Sequence, residues 1–147
     1  MSSLTEQQVR DQLLGAWQLL SIVAIAPDGT TTNTLGDNPV GQISYTPGGQ
    51  MSAVLQRTDR PVQPGSTARE ATGAEAVAGW RSFIAYFGSY SIDLEAGAVV
   101  HHVQGAYLPS MLGTDQVRYF TFEDDLLMLQ PPATAAGSAK ITWQKIG

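Results

Sequence analysis

The sequence predicts an all-β protein, a single antiparallel up-and-down β-barrel of about eight strands with a short N-terminal helix and one inserted helix. Most of its strand-like segments follow one another through tight turns, as in a meander. Helical segments do not alternate with these strands, which disfavours a parallel α/β sheet. The first and last apolar runs, Gly15-Ala16-Trp17 and Trp143-Gln144-Lys145, are the expected first and last strands of a sheet that closes on itself.

The two predicted helices carry different signals. Thr5 and Gln8 have the spacing of a capping box, and Gly15 follows as a helix stop. The apolar stripe of this N-terminal helix consists of Val9, Leu13 and Leu14. The inserted helix is predicted over residues 68–81, the one internal segment rich in Ala and Glu. The first helix precedes the strands and the second interrupts them, so neither joins parallel strands.

The strands are predicted from apolar alternation and from the turns that separate them. Their ranges are 17–26, 41–46, 50–56, 83–94, 98–105, 116–122, 126–130 and 139–146. Pro47-Gly48-Gly49 and Glu123-Asp124-Asp125 provide two clear hairpin turns. The remaining connections are predicted as loops or irregular arms over 30–39, 57–64, 107–113 and 131–138. With no linker or internal repeat, we assign residues 1–147 to one domain.

Composition excludes several classes of function. The 8 Lys and Arg against 13 Asp and Glu give a formal charge of −5, without a cluster of basic residues. Nucleic acid and anionic membrane are therefore not expected partners. The chain has no cysteine, which removes disulfides and thiolate chemistry. Its first residues do not resemble a secretory signal, and no apolar run reaches the ~20 residues of a membrane-spanning helix, so we expect a cytoplasmic location.

Several motifs resemble known proteins as a set. Gly15-x-Trp17 resembles the lipocalin signature, and further segments resemble the bacterial and fungal lipocalin-like family of short, signal-less proteins. These segments are residues 40–49, 51–53, 86–90, 101–103 and 113–118. The resemblance implies a β-barrel around a central pocket but no one activity, although some members accompany natural-product pathways. Lys145 stands where secreted lipocalins place an Arg over the Trp, so we expect Trp17 and Lys145 to pack together at a plugged end.

Alternation along the strands assigns side chains to the inside of the barrel. His101 shares the more apolar face of its strand and is predicted to point inward, whereas His102 points outward. A bulge of one residue would reverse any such assignment. The predicted ligand-binding residues, which are apolar or aromatic with a few polar groups, are Tyr45, Met51, Ala53, Leu55, Tyr86, Tyr90, His101 and Tyr119.

The candidate chemistry of this pocket is limited. Adjacent strand residues point to opposite sides, so His101 and His102 cannot easily share a metal, and we expect neither a metal site nor a cofactor. Haem bound by one inward histidine is a weaker alternative. If the protein is an enzyme, His101, Tyr86 and Tyr90 are the candidate catalytic residues, because tyrosine and histidine can donate hydrogen bonds to a substrate carbonyl.

The sequence therefore predicts a small-molecule pocket protein that binds an apolar, amphipathic or polyketide-like ligand inside the barrel. One open reading is a cofactor-free cyclase or isomerase of natural-product biosynthesis, acting by substrate folding and by tyrosine and histidine hydrogen bonds. Another is a non-catalytic carrier of a hydrophobic small molecule. A third is a structural or oligomerising protein with a filled core. A homodimer is also compatible with the sequence.

Overall fold

The computed structural model describes residues 3–60 and 67–147, so residues 61–64 of one predicted loop lie outside the described residues. Within these ranges the helical elements are α1 (Glu6–Leu13), α2 (Gly73–Arg81) and one 3₁₀ turn (Pro109–Met111). The strands β1 to β9, in chain order, are Gly15–Ile25, Thr31–Asn33, Val40–Tyr45, Gln50–Gln56, Phe83–Asp93, Ala98–Ala106, Asp115–Glu123, Leu126–Gln130 and Ser138–Lys145. The eight predicted strands are each confirmed to within two residues at either end.

The strands form one antiparallel sheet that closes on itself. From β3 to β9 each strand pairs with the next, and β1 pairs with both β3 and β9. Eight strands therefore make the barrel wall, and β2 adds a short ninth strand beside β1. Closure removes the free edges that an open sheet would present. The predicted up-and-down barrel is confirmed.

β1 is long enough to pair with different strands along its length. Residues 15–18 pair with β3, whereas residues 23–25 pair with β2. Between Leu19 and Ser21 a bulge shifts the register of β1 against β9. Such a bulge bends a strand and increases its twist, which helps a sheet to close. Residues 30–39 were expected to be a loop or irregular extended arm, and the short strand β2 within them corrects this in part. The strand forms because residues 23–25 of β1 extend beyond β3 and offer their backbone groups to another partner.

Helix α1 covers the end of the barrel where β1 begins, which we call the closed end. The expected capping box is present: the amide of Gln8 donates to the Thr5 hydroxyl at 3.1 Å, and the Thr5 amide donates to the Gln8 side chain at 2.8 Å. Val9 and Leu13 are fully buried against the barrel core. The indole N–H of Trp17 donates to the carbonyl of Leu13 at 2.9 Å, which fixes the helix over the first strand.

The first and last strands meet at this closed end, as the sequence predicts. Trp17 and Lys145 are register partners, and the Lys145 ammonium lies 4.7 Å from the centroid of the Trp17 ring. The same ammonium donates to the carbonyl of Leu14. Gly15 has a φ of +108°, and a Cβ there would meet the carbonyl oxygen of Gly147. Glycine is therefore required for the two ends of the chain to approach this closely.

Helix α2 is shorter than residues 68–81. It begins after Thr72, whose hydroxyl accepts a hydrogen bond from the amide of Glu75 at 3.2 Å. Threonine competes with the helix through its hydroxyl and serves better as an N-cap than as an interior residue, which explains the later start. In the described part of the chain, neither α1 nor α2 has the length and hydropathy of a membrane-spanning helix.

Replacing Lys145 by methionine tests the closure at the Trp17 end. Lys145→Met keeps most of the side-chain volume but removes the cation over the indole and the hydrogen bond to Leu14, and we expect it to lower the free energy of unfolding by about 1–2 kcal/mol. Lys140→Met is the matched control, since Lys140 is an exposed lysine of the same strand. Urea denaturation measures both variants. Equal stabilities for the two would contradict this role of Lys145.

Candidate functional site

A cavity of about 250 Å³ lies inside the barrel, toward the strand ends remote from α1. Its walls are mainly aliphatic, with Ile22, Ile43, Leu55, Ile84, Leu129 and Ile141 among the lining residues. Thr34, Pro131 and Ala139 lie at its mouth. An apolar cavity with a few polar side chains has the make-up of a small-molecule site. The barrel interior is therefore not completely filled by side chains, in contrast to the third hypothesis from the sequence, which expected a filled core.

Three side chains form a chain of hydrogen bonds from the closed end to this cavity. The hydroxyl oxygen of Tyr45 lies 2.7 Å from His101 Nε2, and the hydroxyl oxygen of Tyr86 lies 2.7 Å from His101 Nδ1. Each of the two phenol rings packs at 5.6 Å from the imidazole. Tyr86 and His101 line the cavity, whereas Tyr45 lies beneath it. We call this set the Tyr–His–Tyr chain.

The imidazole of His101 is neutral at physiological pH. It is 0% exposed, and burial, helped by the positive charge of Arg118, lowers the pKa of His101 from 6.5 to about 3. Burial also raises the pKa of Tyr45 and of Tyr86 above the usual value of 10. All three groups are therefore uncharged, and the imidazole has one N–H donor and one acceptor nitrogen.

Burial also decides the direction of the hydrogen bonds. Tyr45 is 1% exposed, and among the described residues its hydroxyl has no partner other than His101. The Tyr45 hydroxyl must donate to Nε2, because an O–H group buried without an acceptor costs roughly 1–3 kcal/mol. The Nδ1–H of His101 then donates to Tyr86. The hydroxyl proton of Tyr86 is left to donate into the cavity.

Arg118 is a charged lining residue that the sequence analysis did not assign to the pocket. It lies on β7 and lines the cavity half-buried, with Nη1 donating to the carbonyl of Val117 at 2.9 Å and Nη2 approaching Gln116 Oε1 at 3.4 Å. The signal was available in the alternation of β7, where Arg118 shares its face with the aromatic Phe120 and Phe122. Arginine is mostly exposed in folded proteins, so average burial preference opposes the assignment that the alternation favours.

The alternation of β7 also corrects the placement of Tyr119. Tyr119 was predicted to bind ligand, but it is 41% exposed and lies on the outer face of the barrel. Arg118 and Phe120, its two neighbours in the strand, take the inner face instead. The prediction is wrong because an aromatic side chain on one strand face does not make that face the inner one when the other face carries two phenylalanines.

Three further predicted pocket residues lie inside the barrel but below the cavity. Tyr45, Met51 and Tyr90 are buried near the Pro47-Gly48-Gly49 turn, and none of them lines the cavity. The Tyr90 hydroxyl donates to the carbonyl of Thr46 at 2.8 Å, and its ring packs edge-on against Tyr45 at 5.0 Å. These residues make the floor of the site, so Tyr90 has no route to a ligand in the cavity.

The remaining predicted residues meet in one place. Ala53, Leu55, Tyr86 and His101 all line the cavity. Trp143 joins them from β9; it is 1% exposed, and its indole N–H has no hydrogen-bond partner among the described residues. Buried indole N–H groups are usually paired, so this unpaired donor beside the cavity is unusual.

The second histidine belongs to the outer surface. His102 Nδ1 lies 2.8 Å from an Asp115 carboxylate oxygen, and its Nε2 lies 2.8 Å from the Ser91 hydroxyl. The outward orientation of His102 and the inward one of His101 are as predicted from alternation. In residues 3–60 and 67–147 no three histidine, aspartate or glutamate side chains are grouped to hold a metal ion.

Comparison with known proteins relates most of the chain to one family. The family described as "Lipocalin-like domain" matches residues 14–146. No curated protein matches the chain. A redesigned β-barrel is similar over 99% of this chain and 100% of its own, at 17% identity and a TM-score of 0.47. A lipocalin-like protein from Bacteroides uniformis is similar over 92% of this chain and 99% of its own, at 14% identity and a TM-score of 0.47. The fluorescent protein UnaG is similar over 92% of this chain and 98% of its own, at 12% identity and a TM-score of 0.42.

A pH series tests the buried, neutral state of His101. Between about pH 6.5 and pH 3, His101 is protonated in the unfolded chain but stays neutral in the folded protein. Folding stability therefore falls as the pH is lowered through this window. This proton uptake lowers the free energy of unfolding by up to about 1.4 kcal/mol per pH unit, and we expect His101→Gln to abolish that contribution. Glutamine keeps a donor and an acceptor for the two tyrosines.

His102→Gln is the matched control, since His102 is the neighbouring histidine on the outer face. Urea denaturation from pH 7.5 to pH 4.5 is measured for the wild type and both variants. The wild type and His102→Gln should lose stability more steeply than His101→Gln. Parallel curves for the wild type and His101→Gln would refute the assignment of a neutral buried imidazole.

Proposed function

Because the chain belongs to the lipocalin-like domain family, we propose that its barrel binds a small, largely apolar molecule in the internal cavity. The observation that carries this proposal is the composition of the cavity wall. Aliphatic side chains surround the space, and the polar groups Tyr86, Arg118 and Trp143 stand among them. Binding sites for small molecules combine a large apolar surface with a few polar groups that orient the ligand.

A surface cleft beside helix α2 adjoins the mouth and would give a ligand access to the cavity from that side. Thr34 and Ile84 line both the cavity and an adjoining surface cleft that Trp80 of α2 also lines. The indole N–H of Trp80 donates to the carbonyl of Tyr107 at 3.1 Å, which holds α2 against the end of β6. A ligand entering here would pass between α2 and the loops at the barrel rim.

A cofactor-independent cyclase or isomerase is the second candidate. The specific observation in its favour is the Tyr–His–Tyr chain, which holds the Tyr86 hydroxyl ready to polarise a ligand carbonyl. The pKa values weigh against proton transfer, because burial raises the pKa of Tyr86 and lowers that of His101 to about 3. A general acid or base works best with a pKa near the operating pH. Binding is therefore the first candidate and turnover the second.

Partners and location remain predictions from the sequence. We expect a small apolar or amphipathic molecule as the partner, whether a polyketide-like compound of a biosynthetic pathway or another hydrophobic metabolite. A cytoplasmic location and a homodimer are also expected. Light scattering on the purified protein measures the oligomeric state directly.

Filling the mouth of the cavity tests the proposed function. Ala139→Leu adds bulk at the mouth, and we expect it to weaken binding of small apolar molecules at least tenfold, because the added side chain occupies ligand volume. Ala85→Leu is the matched control and lies in an outer groove of about 340 Å³ with Phe83, Phe87 and Tyr107. NMR titration with a panel of lipid-like and polyketide-like molecules measures both variants.

Two outcomes of this titration would count against the proposal. If no molecule of the panel shows saturable binding to the wild type, the barrel is not a binding site for this class. If Ala85→Leu weakens binding and Ala139→Leu does not, the ligand occupies the outer groove rather than the cavity.

A further inference from the structure

We propose that the molecule bound in the cavity carries a carboxylate, which Arg118, Tyr86 and Trp143 hold in place. The inference rests on the proposed function and adds the chemical class of the ligand. Three side chains on the cavity wall offer hydrogen-bond donors, and one of them carries a positive charge. A carboxylate supplies both the acceptor oxygens and the negative charge that these groups lack.

The guanidinium of Arg118 is the first part of the argument. It donates to the Val117 carbonyl, approaches Gln116 and also interacts with the oxygen of the Tyr86 hydroxyl, and these contacts leave part of its five N–H donors unused. No carboxylate lies within ion-pair distance of it in the described ranges. Residues 1–2 and 61–66, outside those ranges, contain no Asp or Glu. A cation half-removed from water without a counter-charge is costly, and an anionic ligand would offset that cost.

The other donors are the second part. The Tyr–His–Tyr chain leaves the hydroxyl proton of Tyr86 directed to the cavity, because Tyr45 and His101 use their own protons within the chain. The indole N–H of Trp143 has no partner among the described residues. Both nitrogens of His101 are occupied, so the imidazole offers no free acceptor. Apart from Thr34 at the mouth, the polar side chains of the cavity are donors, which disfavours an amine or another cationic ligand.

The charge and volume of the cavity narrow the ligand further. Arg118 supplies one positive charge, which balances a monovalent carboxylate but would leave a phosphate dianion with excess buried charge. A volume of about 250 Å³ corresponds to about eight waters at ~30 Å³ each, or on the order of ten non-hydrogen atoms. A medium-chain fatty acid such as octanoate is of this size, and its alkyl chain suits the aliphatic walls.

The experiment compares octanoate with octan-1-ol, which has the same alkyl chain without the charge. NMR titrations are carried out on the wild type, on Arg118→Met and on Arg69→Met. We expect Arg118→Met to weaken octanoate binding by about tenfold to a hundredfold, as for loss of a hydrogen-bonded charge pair, and to change octan-1-ol binding by less than about threefold. Arg69→Met removes the same charge from an exposed position that lines neither the cavity nor the adjoining cleft, and it should leave both affinities unchanged.

Each other outcome overturns a distinct statement. If octan-1-ol binds the wild type as tightly as octanoate, or if Arg118→Met retains octanoate affinity, the carboxylate proposal fails while cavity binding stands. If neither molecule binds the wild type, the cavity does not take ligands of this size and both proposals fail. Retained octan-1-ol binding shows that Arg118→Met is folded. Should that variant not fold, Arg118→Lys replaces it, and unchanged octanoate affinity there would contradict recognition by the planar guanidinium.

Discussion

Every wall of the cavity depends on the pairing of β1 with β9, because this ladder turns a sheet with two edges into a closed surface with an inside. The bulge between Leu19 and Ser21 lets β1 curve while it holds β9 on one side and β3 on the other. The same closure brings Lys145 over Trp17 at the end of the barrel that helix α1 covers. Space for a ligand is left at the opposite end.

The polar interior follows from one buried imidazole. His101 sits between the floor of the barrel and the cavity, and burial keeps it uncharged. An uncharged imidazole needs one donor and one acceptor, and Tyr45 and Tyr86 provide them. Tyr45 is enclosed and Tyr86 borders the cavity, so Tyr45 donates to His101 and His101 donates to Tyr86, from the floor of the barrel toward the cavity. The packing of the floor thus determines which hydrogen-bonding group a ligand would meet.

Much of the fold could be predicted from local patterns, because turn residues and alternation are written in short stretches of sequence. Alternation placed His101 inside and His102 outside, and Ala53, Leu55 and Tyr86 do line the cavity. Alternation gives the face of a residue but not its height in the barrel, which depends on strand register and tilt. Inward residues at the closed end, such as Met51 and Tyr90, were therefore assigned to the pocket although they form its floor.

The error on β7 had another physical source. Tyr119 was predicted to bind ligand but is exposed on the outer face, whereas Arg118 lines the cavity. Average burial preferences separate these residue types correctly in most cores. A binding cavity departs from that average, because it can keep a polar or charged side chain for a ligand. Average burial preference thus fails at Arg118, the charged residue on which the proposed choice of ligand depends.

The described N-terminal segment, from residue 3 onward, and Gly147 both lie at the closed end of the barrel, where the amide of Gly147 donates to the carbonyl of Ala16 beside helix α1. The mouth of the cavity is on the far side. A tag, a linker or a fused domain attached at Gly147 would therefore begin on the side of the barrel away from the mouth. The protein could be fixed to a surface, or joined in series with other modules, with its opening still facing the solution.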